Sequence, residues 1–316
     1  MTISSHKARA LLACLALDLN RPVSAAVLAE RLWDDQPPPS AAGTLQSYVS
    51  KLRTVLREAN ARAAAAGAPP VELASRRGTY QLNARPDQVD WQLYLRLGKE
   101  ARHLAETGAD RQALEAFARA QDLWQGEPLA GLPGVWPQLT RTTMYDQWLA
   151  TTAARVELEL RLGRFADLVP ELAPLVEQRP QDERLAGQLM TALYGSGRQA
   201  EALALFRDTS RRIRADHGTE PAEPLRRLHE RMLRGAPVSA LLGRSGPPRE
   251  GQPAGRTGRA PSKLPPAPVL EGRGAELRSL VEWGGGGGGP PPPRAPAAPP
   301  PPPAPRGAPG WAGGRR

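Results

Sequence analysis

SAAGTLQSYVSKLRTVLR, residues 40–57, places Leu45, Tyr48/Val49, Leu52 and Val55/Leu56 three and four residues apart. That spacing predicts an amphipathic helix running from Ser40 to about Ala59. If Leu45, Val49, Leu52 and Leu56 face inward, the opposite side carries Thr44, Gln46, Ser47, Ser50, Lys51, Arg53, Thr54 and Arg57. No acidic residue interrupts that side before Glu58. A helix laid in a major groove needs this mixture: hydroxyls and an amide for base edges, and cations for guanine and phosphate. A merely solvated face would read the same way in isolation, so the flanking sequence decides.

Upstream, residues 6–19 (HKARALLACLALDL) carry Leu11, Leu12, Leu15 and Leu19 at helical spacing, and Asn20-Arg21-Pro22 breaks the helix. Ser24 has the form of an N-cap for a second helix bearing Val27, Leu28 and Leu32, which stops before Asp34-Asp35-Gln36-Pro37-Pro38-Pro39. Downstream, 61–70 is rich in Ala, Gly and Pro and is expected to be a loop. Residues 71–74 (VELA) and 79–82 (TYQL) read as short strands around the turn Ser75-Arg76-Arg77-Gly78. Helix, short helix, long helix and hairpin, in that order, predict a winged helix-turn-helix over residues 1–84. Arg76 and Arg77 at the hairpin tip would reach a neighbouring phosphate or the minor groove.

Residues 90–236 read as helix after helix. Ala113-Leu114-x-x-Phe117, Leu168-Val169-x-x-Leu172 and Ala202-Leu203-x-x-Phe206 resemble one another. Each follows a corner containing glycine: Gly108-Ala109-Asp110, Gly163-Arg164 and Gly195-Ser196-Gly197-Arg198. The last two copies are 34 residues apart, the period of a tetratricopeptide helix pair, and a Trp/Pro/Gly-rich insertion at 124–137 lengthens the first interval. Such pairs bury their apolar faces only by stacking into a solenoid. The predicted fold class is therefore mainly α: a winged helix-turn-helix, an α-helical tetratricopeptide-like solenoid, and a Gly/Pro-rich tail over 244–316. The tail holds one short helical stretch from about Ala275 and otherwise has too little apolar side chain to offset chain entropy, so it is expected to be disordered.

Charge follows the same division. The chain has 316 residues and a net charge of +10. Residues 1–90 hold 11 Lys+Arg against 8 Asp+Glu, residues 91–243 hold 20 of each, and residues 244–316 hold 11 against 4. A basic reader suits a polyanion, and an electroneutral middle suits protein contacts. The single cysteine, Cys14, excludes an intramolecular disulfide and a cysteine-based zinc site, and its apolar neighbours predict a buried small side chain. His6, His103, His217 and His229 form no metal-binding pair; there is no HExxH, and no nucleophile elbow. Gly284–Gly289 runs into proline without the Lys-Ser/Thr of a phosphate loop. No enzyme activity, cofactor, metal or membrane span is expected. Trp91, Trp124, Trp136 and Trp148 gather around the insertion, where they are expected to lock it onto the helical stack.

VSAAVLAERLWDDQPPPSAAGTLQSYVSKLRTVL (23–56), RRGTYQL (76–82), VDWQLYLRL (89–97) and LWQGEPLAGL (123–132) together resemble the SARP-type antibiotic regulatory activators of actinobacteria. Those proteins join an OmpR-like winged helix to a bacterial transcriptional activator domain of tetratricopeptide type. The resemblance covers about residues 6–236. It implies a cytoplasmic, nucleoid-associated activator that binds double-stranded DNA at promoter direct repeats as a head-to-tail homodimer. It also implies recruitment of RNA polymerase holoenzyme to secondary-metabolite gene clusters. In the family the helix matching 41–57 enters the major groove and the hairpin matching 71–82 is the wing. On that basis, replacing Arg53 or Arg57 by Ala is expected to weaken DNA binding and lower its salt slope. Two departures stand out. The family's reader opens with an antiparallel sheet, for which only Thr2-Ile3 remains here, so the start is expected to be truncated or the scaffold incomplete. LPPAPVLEGRGAELRSLVEW (264–283) resembles the lead-in to the nucleotide-binding module of larger members, yet no phosphate loop follows, and no ATP binding is expected. The rival reading is a helical-repeat adaptor that binds proteins only and carries a non-functional winged helix.

Overall fold

Ser5 opens the first helix by accepting a hydrogen bond from the Ala8 N–H through its side chain. In the computed structural model, which describes residues 3–34, 36–65 and 67–242, this helix is α1 (His6–Leu17). Strand β1 (Val23–Ser24) follows, and Ser24 then caps α2 (Ala25–Trp33) by accepting from the Val27 N–H at 3.2 Å. The Lys7 ammonium donates to the Leu32 carbonyl at 2.5 Å and lies 5.2 Å from the centre of the Trp33 ring, tying α1 to the end of α2. Helix α3 spans Ala41–Ala64, five residues beyond the expected end. The Ala61-Arg62-Ala63-Ala64 run has the composition helices favour, so the segment read as a loop begins only after it. Strands β2 (Glu72–Arg76) and β3 (Thr79–Asn83) complete an antiparallel sheet of order β1-β3-β2. The strand β1 was not expected from the sequence. It is two residues long, and it exists by pairing Val23 with Tyr80 and Ser24 with Thr79.

Leu11, Cys14, Leu15, Leu28, Leu45, Val49, Leu52, Leu73 and Leu82 fill the core of this unit. The apolar stripe read from the 40–57 segment is thus the face that packs inward. Burial pushes the Cys14 thiol up to about 12, so it stays neutral among these side chains, as a small apolar residue would.

Behind the reader stand α4 (Asp90–Glu106), α5 (Asp110–Asp122), α6 (Val135–Arg161), α7 (Phe165–Gln178), α8 (Glu183–Gly195) and α9 (Gln199–His217). The three corner turns are built alike. Gly108, Gly163 and Gly197 have φ of 81°, 80° and 78°, which only glycine reaches without strain. The residue after each donates back across the turn: Ala109 N–H to Leu104 O at 2.9 Å, Arg164 to Glu159 at 3.0 Å and Arg198 to Leu193 at 2.9 Å. The repeated motif lies on the inner face each time, with Ala113, Phe117, Leu168, Leu172 and Ala202 all at most 1% exposed. Helices α10 (Glu223–Leu233) and α11 (Val238–Leu241) close the stack. The His229 ring lies flat on Phe206 at 3.8 Å, and burial lowers its pKa.

Trp124, from the insertion, sits 5.9 Å from Tyr94, 5.6 Å from Tyr145 and 6.0 Å from Trp148, while Trp91 stacks on Tyr94 at 5.4 Å. These rings seal the insertion against α4 and α6. Trp136 goes the other way and packs against the reader's core, the cluster that Leu132 joins and that Leu129 and Val89 also pack against. The tail expectations, the helical stretch from about Ala275 among them, and Thr2 fall outside the described residues.

Candidate nucleic-acid interface

At 1.5 Å per residue, the 24 residues of α3 make a rod about 36 Å long. Of the residues expected on its outer face, Gln46, Ser47, Ser50, Lys51, Arg53, Thr54 and Arg57 are exposed and Thr44 is half-buried. Two hydroxyls turn back along the helix: Ser47 donates to Gly43 O at 3.1 Å and Thr54 to Ser50 O at 3.3 Å. Each hydroxyl oxygen, having donated its proton, can still accept a hydrogen bond. No acidic residue lies in the first turn, and the N-cap Ser40 makes no side-chain cap bond. The positive end of the helix dipole is therefore not neutralised locally.

The wing turn is set by its own two residues. Arg76 pairs with Thr79, leaving Arg77 and Gly78 as a two-residue loop with φ of 47° and 79°. Positive φ at both positions is the type I′ turn, whose twist matches that of the flanking strands. Both arginines of the tip are exposed. The tip is held from the β1 side, where the Ala25 N–H donates to Gly78 O at 2.9 Å. Between α3 and the tip lies a concavity of about 300 Å³, lined by Gln46, Val49, Arg53, Arg76 and Arg77 among others.

The ten residues expected at the site do not all stand alike. Lys51, Arg57, Arg76 and Arg77 present exposed side chains. Arg53 is different: its Nε donates to Leu73 O at 3.0 Å and its Nη2 to Ser75 Oγ, both on the wing strand β2. The sequence did not point to two further residues that set the geometry. Asn60 pairs with the Val71 backbone in both directions, at 2.9 and 3.0 Å, anchoring the start of β2 to α3. Asn20 does the same for Ala84 at the end of β3, at 2.9 and 3.1 Å. An asparagine on a helix or in a turn gives no sequence signal for such a pairing, since its partner is set by the tertiary fold.

Among the described residues no group of His, Cys, Asp and Glu could hold a metal ion, and no helix is long and apolar enough to cross a membrane.

Comparison with known proteins places two family models on this architecture. One for the bacterial transcriptional activator domain matches residues 89–233, and one for the C-terminal domain of transcriptional regulatory proteins matches residues 3–65. Regulatory protein DnrI of Streptomyces peucetius is 33% identical over 78% of this chain and 90% of its own length. Regulatory protein AfsR of Streptomyces griseus is 35% identical over 74% of this chain. The chain spans only 23% of AfsR. The structure of Mycobacterium tuberculosis EmbR in complex with a low-affinity phosphopeptide superposes with a TM-score of 0.70 at 29% identity, over 77% of this chain and 64% of that one.

Proposed function

The chain belongs to the SARP-type family of transcriptional regulators, and from that premise we propose that it is a sequence-specific DNA-binding activator. The observation that carries this reading is the outer face of α3, exposed, free of acidic residues from its start to Arg57 and flanked by a wing tipped with Arg76 and Arg77. Helix α3 would lie in the major groove. Thr44, Gln46, Ser47, Ser50 and Thr54 offer hydroxyls and an amide to base edges, while Lys51 and Arg57 take phosphates beside them. Arg76 and Arg77 would reach the adjacent backbone or minor groove. Arg53 belongs to the same face, with its guanidinium already on β2.

The helical stack would then present the reader's position to a second protomer and to RNA polymerase holoenzyme, so that activation works by recruitment and without catalysis. Head-to-tail homodimers on promoter direct repeats, and secondary-metabolite clusters as targets, complete the reading. Residues 1–84 act as the reader and 90–236 as the activator module.

A salt titration of promoter-fragment binding tests the DNA contact. Each phosphate contact releases condensed counterions and adds about 0.9 to the slope of log affinity against log salt. Lys51→Ala and Arg57→Ala are each expected to lower the slope by about one unit. An unchanged slope in both variants would remove these side chains from the phosphate contacts. A wild-type chain with no preference for promoter over random duplex would return the protein to the adaptor reading.

A further inference from the structure

A guanidinium carries five N–H donors in a rigid planar fork, so it can satisfy two acceptors at once, where a lysine of the same charge has a single ammonium. Arg53 uses its fork within the protein. The sheet order β1-β3-β2 leaves the far side of β2 as an open edge, and the carbonyl of Leu73 points out from it. The Arg53 Nε meets that carbonyl at 3.0 Å, and Nη2 meets Ser75 Oγ one strand pitch further on. Asn60, seven residues along the same face of α3, holds Val71. Two helical turns cover about 10.5 Å, and the two to four strand residues between these anchors cover about 7–13 Å. The two fixings therefore match in spacing, and helix and strand are joined along their length rather than at one point. On the opposite edge, β1 and the Ala25 N–H hold β3 and the turn.

We propose that Arg53 is a positioning residue: it braces strand β2 against the recognition helix, and so sets where Arg76 and Arg77 stand relative to Gln46 and Lys51. Its own charge is not spent on a DNA phosphate. The brace itself is independent of the DNA-binding reading, and only its consequence for recognition rests on that reading. The concavity lined by Gln46, Arg53, Arg76 and Arg77 is the gap that the brace holds open. Without it, the wing would still pair with β3 but would pivot about Asn60.

The test uses the full chain with Arg53→Lys, Arg53→Ala and Ser75→Ala, together with Arg77→Ala alone and in each Arg53 background. Lysine preserves the charge but not the fork. Amide hydrogen exchange on the free protein reads the brace directly. Arg53→Lys and Arg53→Ala should both speed exchange of the β2–β3 amides about five- to tenfold, as expected for losing one or two hydrogen bonds. Ser75→Ala should give a smaller effect of the same kind. Hairpin protection unchanged in Arg53→Ala would overturn the brace. Promoter binding reads its consequence. Arg77→Ala should cost less affinity in either Arg53 background than in the wild type, because the wing is already displaced there. Additive losses, or an Arg53→Lys variant that keeps wild-type affinity and protection, would instead make Arg53 a direct phosphate contact and overturn the proposal. If the wild-type chain binds no duplex, the DNA reading fails, while the exchange measurement still decides the brace.

Discussion

Arg77 stands at φ 47°, in a region that glycine, asparagine and aspartate enter readily and arginine does not. The turn type demands this conformation, because both loop residues of a type I′ hairpin have positive φ. A long cation at a position suited to asparagine costs stability on the order of 1 kcal/mol. A strained residue with an exposed side chain gains little from packing, and on the DNA-binding reading proposed above its charge acts outside the protein. Arg77→Asn is therefore expected to raise the melting temperature while it weakens promoter binding. Thermal unfolding and a gel-shift titration on the same sample measure the two. A variant that lost both stability and affinity would mean that the arginine supports the turn instead of straining it. The sequence made the turn legible, since glycine at position 78 and flanking strand formers mark a hairpin. It could not disclose that Arg53, only four residues before Arg57 on the helix, points at the protein while Arg57 points away. Periodicity assigns residues to a face, whereas the direction of a seven-atom side chain depends on which acceptor the fold brings near it.

At the scale of elements, the helices were legible where their apolar spacing was regular, and the repeat corners were legible because glycine supplied the left-handed residue in all three. Strand β1 was not, for two residues carry no period, and the C-terminal extension of α3 was not, because Gly67, Pro69 and Pro70 drew the loop boundary back over an alanine run that itself favours helix. Helix packing shows the same division. Gly195 ends α8, and its neighbours in sequence suggest only a flexible corner. In the fold, a Cβ added there would stand 2.4 Å from Cγ and 2.6 Å from both Cδ atoms of Phe165, the first residue of α7. Glycine is needed for that approach of ring to helix, not for backbone freedom. Gly187, also in α8, would instead place a Cβ 3.5 Å from the methyls of Leu225 and Leu228, which is ordinary contact. Alanine gains about 1 kcal/mol over glycine in a helix interior, and overpacking costs about 1–3 kcal/mol. The ring is rigid and three of its atoms are too close, so Gly195→Ala should lower stability by about 1–2 kcal/mol. Gly187→Ala should raise it by somewhat less than 1 kcal/mol. Denaturant midpoints for the pair check the opposite signs, and equal shifts would remove the ring contact as the cause.

Across the whole molecule, reader and helical stack are joined by more than the chain between them. Asp34, the last residue of the α2 corner, holds a left-handed conformation at φ 50°. Its Oδ1 accepts from the Val135 N–H at 2.9 Å, which caps the 27-residue helix α6 from 101 residues away in sequence. Gly134, with φ 117°, leaves room for that carboxylate: a Cβ there would lie 3.1 Å from Asp34 Oδ2. Beside it, the Arg31 guanidinium pairs with Asp18 at 2.5 Å and lies 5.9 Å from the Trp136 ring, and Gln92 of α4 donates to Leu17 O at 2.9 Å. A carboxylate at a helix N-terminus is favoured by both the open N–H groups and the dipole, and losing such a cap costs about 1 kcal/mol. An interface fixed in this way would transmit the orientation of α3 on DNA to the stack, whereas a flexible joint would not. Asp34→Ala should therefore do more than lower stability by that amount: the single calorimetric transition expected of the wild type should broaden or split as reader and stack unfold separately. Asp34→Asn, which keeps an acceptor oxygen, should lie between the two. Asp182→Ala is the matched control, since Asp182 caps α8 by accepting from Leu185 N–H at 3.0 Å wholly within the stack. It should cost a similar amount of stability and leave the transition single. A split in the Asp182 variant, or a single sharp transition in Asp34→Ala at the wild-type temperature, would place the coupling elsewhere, in the Leu129, Leu132 and Trp136 contacts with the reader's core.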